Sequence, residues 1–286
     1  MVRPLGIPAL RGSVLRAPAV VRRFAAVSSP ASPRAAAQAA RNGRVSSNGH
    51  RASATNGRSD HVSRVYNELR ALIVAGQLPP GARIAERAVV DRLGSSRTPV
   101  RSALHRLQQE GFVASSGVGR EQRLIVTPLT QSDGRELLLI VGHLEGLAAR
   151  EAAALPAARR RALVRTLREV NRALGVASRT RGNQSRVFER DLEFHRSYVE
   201  GIVGPRLLAL HQSIKPQIER YTRLYVSVLL DELPTSLKEH EAIIRGIAAG
   251  DPRAAQAAVE TNWRNAASRL SAVIAELGER GIWHLR

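Results

Sequence analysis

No cysteine occurs anywhere in this chain of 286 residues, which excludes a disulfide framework, a thiolate metal centre and a cysteine nucleophile. Any metal must therefore be held by His, Asp, Glu or Asn. No run of about 18 apolar residues free of charge exists either, so a transmembrane helix is not expected and the chain reads as soluble. Lysine is nearly missing, since arginine supplies 42 of the 44 basic side chains. Acidic residues are absent from positions 1–59, which hold ten Arg and one aromatic residue, Phe24. That segment is rich in Ala, Ser, Pro and Gly and shows no lasting apolar period, so it is expected to be disordered. It reads as a non-specific DNA-contacting tail or as residues upstream of the true start. Its Arg- and Ser-rich, acid-free composition also has the character of a mitochondrial transit peptide.

Against these absences stands a hydrophobic content of 43%, enough for two domains that each bury a core. The formal net charge is +20, and about half of the excess lies in the first 59 residues. Residues 60–128 carry ten basic against six acidic side chains, and the remainder carries 24 against 18. A basic surface of this kind suits a polyanion, though a membrane surface or an acidic protein fits too.

From Asp60 onward, Val62, Val65, Tyr66, Leu69, Leu72 and Ile73 recur at helical spacing and stop at Gly76. A turn follows over residues 77–84 (QLPPGARI), then a short helix over 86–93. The stretch Gly94–Gly111 places Val100, Ala103, Leu104 and Leu107 on one stripe and Arg97, Arg101 and Gln108 on another side. One side packs while the other can touch DNA. Ser96 or Thr98 suits the N-cap, Pro99 is tolerated in a first turn, and Gly111 ends the helix. Arg97, Thr98 and Arg101 therefore gather at a helix N-terminus, where such motifs meet base edges and phosphates. Residues 112–114 and 123–126 read as two strands, with Gly117 and Gly119 in the connecting hairpin.

Beyond Pro128 the sequence is helical throughout, with helices expected near 131–154, 156–174, 184–201, 205–231, 234–249 and 252–278. Pro216 lies inside the fourth of these and should kink it. The fold class is thus mainly α: a winged helix-turn-helix with a two-stranded wing, then an all-α six-helix bundle. The expected domains are a tail over 1–59, a DNA-binding domain over 60–128, a ligand-binding domain over 129–280 and a terminal tail over 281–286.

Residues 61–127 resemble the winged-helix domain of GntR-family bacterial transcription regulators. The resemblance rests on LPPGARI, on Glu86–Arg87, on SRTPVR at 96–101, on ALHRL at 103–107 and on EGFV at 110–113. Residues 131–278 resemble the FCD effector domain of the FadR-type subgroup, through Glu145–Gly146–Leu147, the 191–195 segment DLEFH, His240 within LKEHEAIIRGIAAGDP, and Ala257–Ala258. The resemblance implies a cytoplasmic, nucleoid-associated homodimer that binds a palindromic double-stranded DNA operator and responds to a small metabolite. It implies DNA contacts by Arg87, Arg97, Thr98 and Arg101, with Gly117 or Gly119 in the wing tip.

Asp191 and His195 lie four residues apart on one expected helix, so both can reach one ion. His240 is on a second helix, and the resemblance implies a further His on the last one. Asn262 stands at that place, a neutral and usually weaker oxygen ligand that moves expectation from a Zn²⁺ site toward a looser, oxygen-tolerant one, with Zn, Ni and Mn all left open. The alternative is that His195 and His240 are hydrogen-bonded core histidines. Many relatives also carry an Arg just before the LEG motif to hold a carboxylate. Here Ile140, Val141, Gly142 and His143 occupy that neighbourhood, leaving His143 or Arg220 with Tyr221 as substitutes. An Asp/His/His site could also activate water as in hydrolases, but no nucleophile motif or phosphate-cradling Gly loop accompanies it. An architectural DNA-binding protein without sequence preference is the other alternative, favoured by the Arg-rich tail.

Overall fold

The structure, a computed structural model, describes residues 50–119, 122–180, 183–229 and 232–282. The tail expected over 1–59 lies outside the described residues up to position 49, as do residues 120–121 of the wing connection and the last four residues. In chain order the elements are α1 (His50–Val74), β1 (Arg83–Ile84), α2 (Glu86–Leu93), α3 (Arg97–Gln109), β2 (Val113–Ser116) and β3 (Arg123–Val126). There follow α4 (Gln131–Ala153), α5 (Ala157–Ser178), α6 (Gln184–Ser197), α7 (Pro205–Leu229), α8 (Leu233–Ala249) and α9 (Pro252–Leu277).

The first six elements enclose one apolar core. Val65, Tyr66, Leu69 and Ile73 of α1 meet Val100, Ala103, Leu104 and Leu107 of α3, with Val89, Phe112 and Val126 closing the space. Every residue of the apolar stripe read from the α3 sequence is therefore buried. Gly94 takes φ 56° and ends α2 with its N–H on the Val90 carbonyl, a left-handed cap that glycine adopts without steric cost. The sheet corrects one expectation. It has three antiparallel strands in the order β1-β3-β2, with Arg83 opposite Ile125 and Val113 opposite Val126. Two residues are too short to show alternation, so β1 was hidden inside the turn. Helix α1 also begins ten residues before Asp60, within the segment read as tail.

The six later helices match the six expected, with shifted ends. Gly175 lies inside α5 instead of ending it, packed against Leu237 of α8. Helix α6 stops at Ser197, ahead of a turn in which Gly201 has φ 75°. Thr130 caps α4 through Asp133 N, and Asp251 caps α9 through the N–H groups of Arg253 and Ala254, each bond satisfying a donor the helix leaves free. The core runs through Leu138, Val141, Ala148 and Ala152 of α4, Ile243, Ile244 and Ile247 of α8, and Val259, Ala267 and Leu270 of α9. Small residues permit this closeness: a Cβ on Gly142 would lie 2.8 Å from Trp263 Cβ, and one on Gly246 would lie 2.7 Å from the backbone nitrogen of Ala255. Among the described residues no helix is long and apolar enough to cross a membrane.

Pro216 sits inside α7 and has no N–H to offer the carbonyl four residues before it. That carbonyl, on Gln212, accepts instead from Arg70 of α1 at 2.7 Å. Two further bonds join α7 to the first domain: Gln217 Nε2 donates to the Glu110 carbonyl at 2.8 Å, and Arg220 donates to the Thr127 carbonyl.

Backbone cannot yield as a flexible side chain does, so Gly246→Ala should destabilise the protein by about 1–3 kcal/mol. A urea melt showing wild-type stability would contradict the tight α8–α9 approach.

Candidate functional site

Two places gather polar residues of the kind that act on other molecules. The first is the start of α3. Ser96 holds the N-cap position in extended conformation without a side-chain cap bond, and Arg97 and Thr98 open the helix, both exposed. Arg101 is one turn on, exposed, with its Nε donating to Glu86 Oε2 at 2.8 Å. That carboxylate favours the charged guanidinium and uses only one of its donor nitrogens. Arg87, next to Glu86 on α2, is exposed as well. Gly117 and Gly119 have φ of 89° and 62°, the left-handed region a tight wing turn needs. Gln108, grouped with the arginines by sequence, donates to Ser115 Oγ of β2 at 3.0 Å.

The second place is a cavity of about 120 Å³ inside the helical domain, lined by residues of α4, α6, α7, α8 and α9. Asp191 and His195 of α6 and His240 of α8 bring one ligand atom each within 4.8 Å of one another. His240 Nδ1 donates to Asn171 Oδ1 at 3.1 Å, which leaves Nε2 facing Asp191 Oδ1 at 3.7 Å. Burial, reinforced by His195, holds His240 well below the ordinary imidazole range, so its lone pair is free for a cation. His195 has its Nδ1 against Glu145 Oε2 at 2.8 Å and Tyr198 Oη at 2.7 Å. Its Nε2 is left as the ligand atom, the orientation a buried carboxylate imposes on metal-binding histidines. The residues present thus fit a divalent cation. Asn262 also lines the cavity, with its Nδ2 donating to Glu239 Oε2 at 2.8 Å and its Oδ1 as the remaining acceptor.

Glu145 is fully buried and accepts from five side chains. Lys215 Nζ and His211 Nε2 of α7 reach Oε1, each at 2.9 Å. His195, Tyr198 Oη and Trp263 Nε1 reach Oε2, at 2.8, 2.8 and 2.9 Å. Burial alone would push this carboxyl up, but the Lys215 ammonium and His195 outweigh it and hold the group well below the usual carboxylate range. Sequence reasoning placed Glu145 only within a motif and missed Lys215, His211 and Asn171. The four-residue spacing of His211 and Lys215 was a usable signal, but their common partner lies 66 and 70 residues away.

The substitutes proposed for the effector anchor are not brought to this cavity. His143 is exposed and pairs with Glu260 at 3.2 Å. Arg220 is turned to the Thr127 carbonyl, and Tyr221 donates to Asp133 Oδ2 at 2.6 Å while accepting from Thr130 N. The α7 face at the cavity is Lys215, Ile218, Glu219 and Thr222, spaced by three and four, so residues 220 and 221 fall on other sides of the helix. The cations that do line the cavity are Lys215 and Arg269. Arg269 meets Glu239 through two bonds of 2.9 and 3.0 Å.

Comparison with known proteins accords with this division. Residues 61–119 match the family described as bacterial regulatory proteins, gntR family, and residues 136–265 match the FCD domain. The chain is 33% identical over 138 residues to an uncharacterized HTH-type transcriptional regulator in the TAR-I ttuE-ttuC' intergenic region of Agrobacterium vitis, covering 48% of this chain and 78% of that protein. It is 30% identical over 207 residues to a probable D-xylose utilization operon transcriptional repressor of Paenarthrobacter nicotinovorans, covering 71% and 85%. Among solved structures, E. coli McbR/YncC superposes with a TM-score of 0.57 at 20% identity, covering 73% of this chain and 96% of that one, a likeness of fold.

Replacing Glu145 by Ala leaves the Lys215 ammonium buried without its counter-charge, so Glu145→Ala should cost about 3–5 kcal/mol. Denaturant titration checks this, and a cost below about 1 kcal/mol would show that the carboxylate does not hold the bundle together.

Proposed function

Because the chain belongs to the GntR family of bacterial regulatory proteins and carries an FCD domain, and is a DNA-binding transcription regulator, we propose that it is a ligand-responsive repressor. In this reading it binds a palindromic operator as a homodimer and releases it when a small organic acid occupies the helical domain beside a divalent cation. The observation that carries the reading is the double duty of α7. One side of α7 lines the cavity with Lys215, Glu219 and Thr222, while Gln212, Gln217 and Arg220 hold the winged helix-turn-helix. A ligand that draws on the first set displaces the second, which is the differential contact that a ligand-driven change requires.

Arg97, Thr98 and Arg101 are the residues assigned to the operator, with Arg87 and the Gly117–Gly119 wing turn beside them. Arginine at the first turn can pair with guanine O6 and N7 or with phosphate, at roughly 1–3 kcal/mol of discrimination for a good base contact. The free N–H groups at the start of α3 add a site for phosphate oxygen. Asp191, His195, His240 and Asn262 are assigned to the cation, which would supply positive charge for a carboxylate, with Arg269 and Lys215 as protein cations in the same cavity. Exposed Ile140 and Leu147 on α4, and Leu210 and Leu224 on α7, are spaced by seven and fourteen residues and support a dimer face on those two helices. The relatives are named as regulators, and none of these residues is assigned a catalytic role.

Selection of binding sites from a randomised duplex library should recover a palindrome. Arg101→Ala should lose that preference while its thermal transition stays close to wild type; retained preference would refute the docking of α3. Metal analysis of tag-free protein, supplemented with Zn, Ni or Mn, should find close to one ion per chain in the wild type and little after Asp191→Ala. Clearly substoichiometric metal in the supplemented wild type would overturn the cation site.

A further inference from the structure

The α5 helix carries a row of arginines that the operator and the cavity leave unused. Arg161, Arg165, Arg168, Arg172 and, at the helix end, Arg179 are all exposed. Their spacing of four, three, four and seven keeps them within a narrow arc of the helix, and they span about 27 Å along its axis. Among the described residues none of the five is in an ion pair. Three of them, Arg168, Arg172 and Arg179, join Lys238 of α8 along a surface groove of about 640 Å³. The carboxylate in that groove, Glu241, has Oε1 engaged by Asn171 Nδ2 at 3.0 Å. The groove therefore presents cations toward solvent with little to neutralise them.

We propose that this face of α5 and α8 is a second DNA-backbone contact surface, carried by the effector domain and separate from the recognition helix. The length of the row argues for a polymer: about 27 Å of duplex presents about eight phosphates per strand, whereas a small metabolite spans a fraction of that. The chemistry argues for phosphate, since guanidinium forks pair with phosphate oxygens in a bidentate manner and are only weakly hydrated. A protein partner would call for an apolar centre, and Val176 is the large apolar side chain exposed there. The hydrogen bonds that hold the winged domain come from α7, while α5 packs against α6 and α8. The DNA on α5 is accordingly a flanking or second segment, not the base pairs read by α3.

The test uses the full chain and a random-sequence duplex of about 60 base pairs, with affinity followed over a salt series. Wild type is compared with the triple variant R165A/R168A/R172A and with R150A/R253A/R264A, which removes the same formal charge from exposed positions on α4 and α9. Removing one arginine–phosphate pair lowers the slope of log K against log salt by about 0.9. The α5 triple should therefore drop by about two to three units of slope and the other triple by less than one, both with wild-type melting curves. An equal drop in both triples, or none in either, would overturn the proposal. So would displacement of the wild type alone by inorganic tripolyphosphate at matched ionic strength, which would mark a small-anion site. Should the α5 triple melt early, Arg168→Gln and Arg172→Gln singly should each remove about 0.9. The inference rests on the chain's DNA binding but not on α3: Arg101→Ala on a selected operator fails or succeeds independently of the slopes on random DNA.

Discussion

A single buried carboxylate organises the helical domain. Glu145 of α4 receives Lys215 and His211 from α7, His195 from α6 and Tyr198 from just past its end, and Trp263 from α9. Four helices are thereby fixed to one pair of oxygen atoms. A charge at this depth is tolerated because its neighbours donate to it and Lys215 balances it, and removing any one donor would leave the buried carboxylate short of a partner. The same carboxylate fixes which ring nitrogen of His195 faces the cavity. The packing of the bundle and the chemistry of its interior are consequently one arrangement.

The parts of this architecture legible in the sequence are those written in local spacing. The stripe Val100, Ala103, Leu104 and Leu107 gave α3 its orientation, and the breaks at Pro156, Pro205 and Gly250–Asp251–Pro252 gave the helical domain its element count. Asp191, His195 and His240 could be grouped because two lie one turn apart and the resemblance supplied the third. Illegible were features that depend on a distant partner: β1 exists as a strand because β3 runs beside it, and Lys215 matters because Glu145 is buried opposite. Two of the residues offered as effector anchors lie outside the cavity for a geometric reason. Arg220 and Tyr221 are adjacent in sequence to cavity-lining residues, and on a helix adjacency means facing elsewhere.

Asn262 illustrates how a departure from a pattern is absorbed by its surroundings. In place of an imidazole the site has an amide, and Glu239 takes its Nδ2 while also gripping Arg269 and Asn265. The amide therefore has a fixed orientation even before any cation arrives. Burial would raise the Glu239 carboxyl, but Arg269 and the two asparagines keep it below the usual range, so this clamp stays charged at neutral pH.

The proline within α7 has a mechanical meaning. By withholding an N–H, Pro216 turns the Gln212 carbonyl outward, and Arg70 seizes it. Helix α7 therefore carries two sets of groups on one stretch of chain, Lys215, Glu219 and Thr222 at the cavity wall and Gln212, Gln217 and Arg220 at the winged domain. A missing hydrogen bond, ordinarily a weakness in a helix, is here the notch through which one domain grips the other.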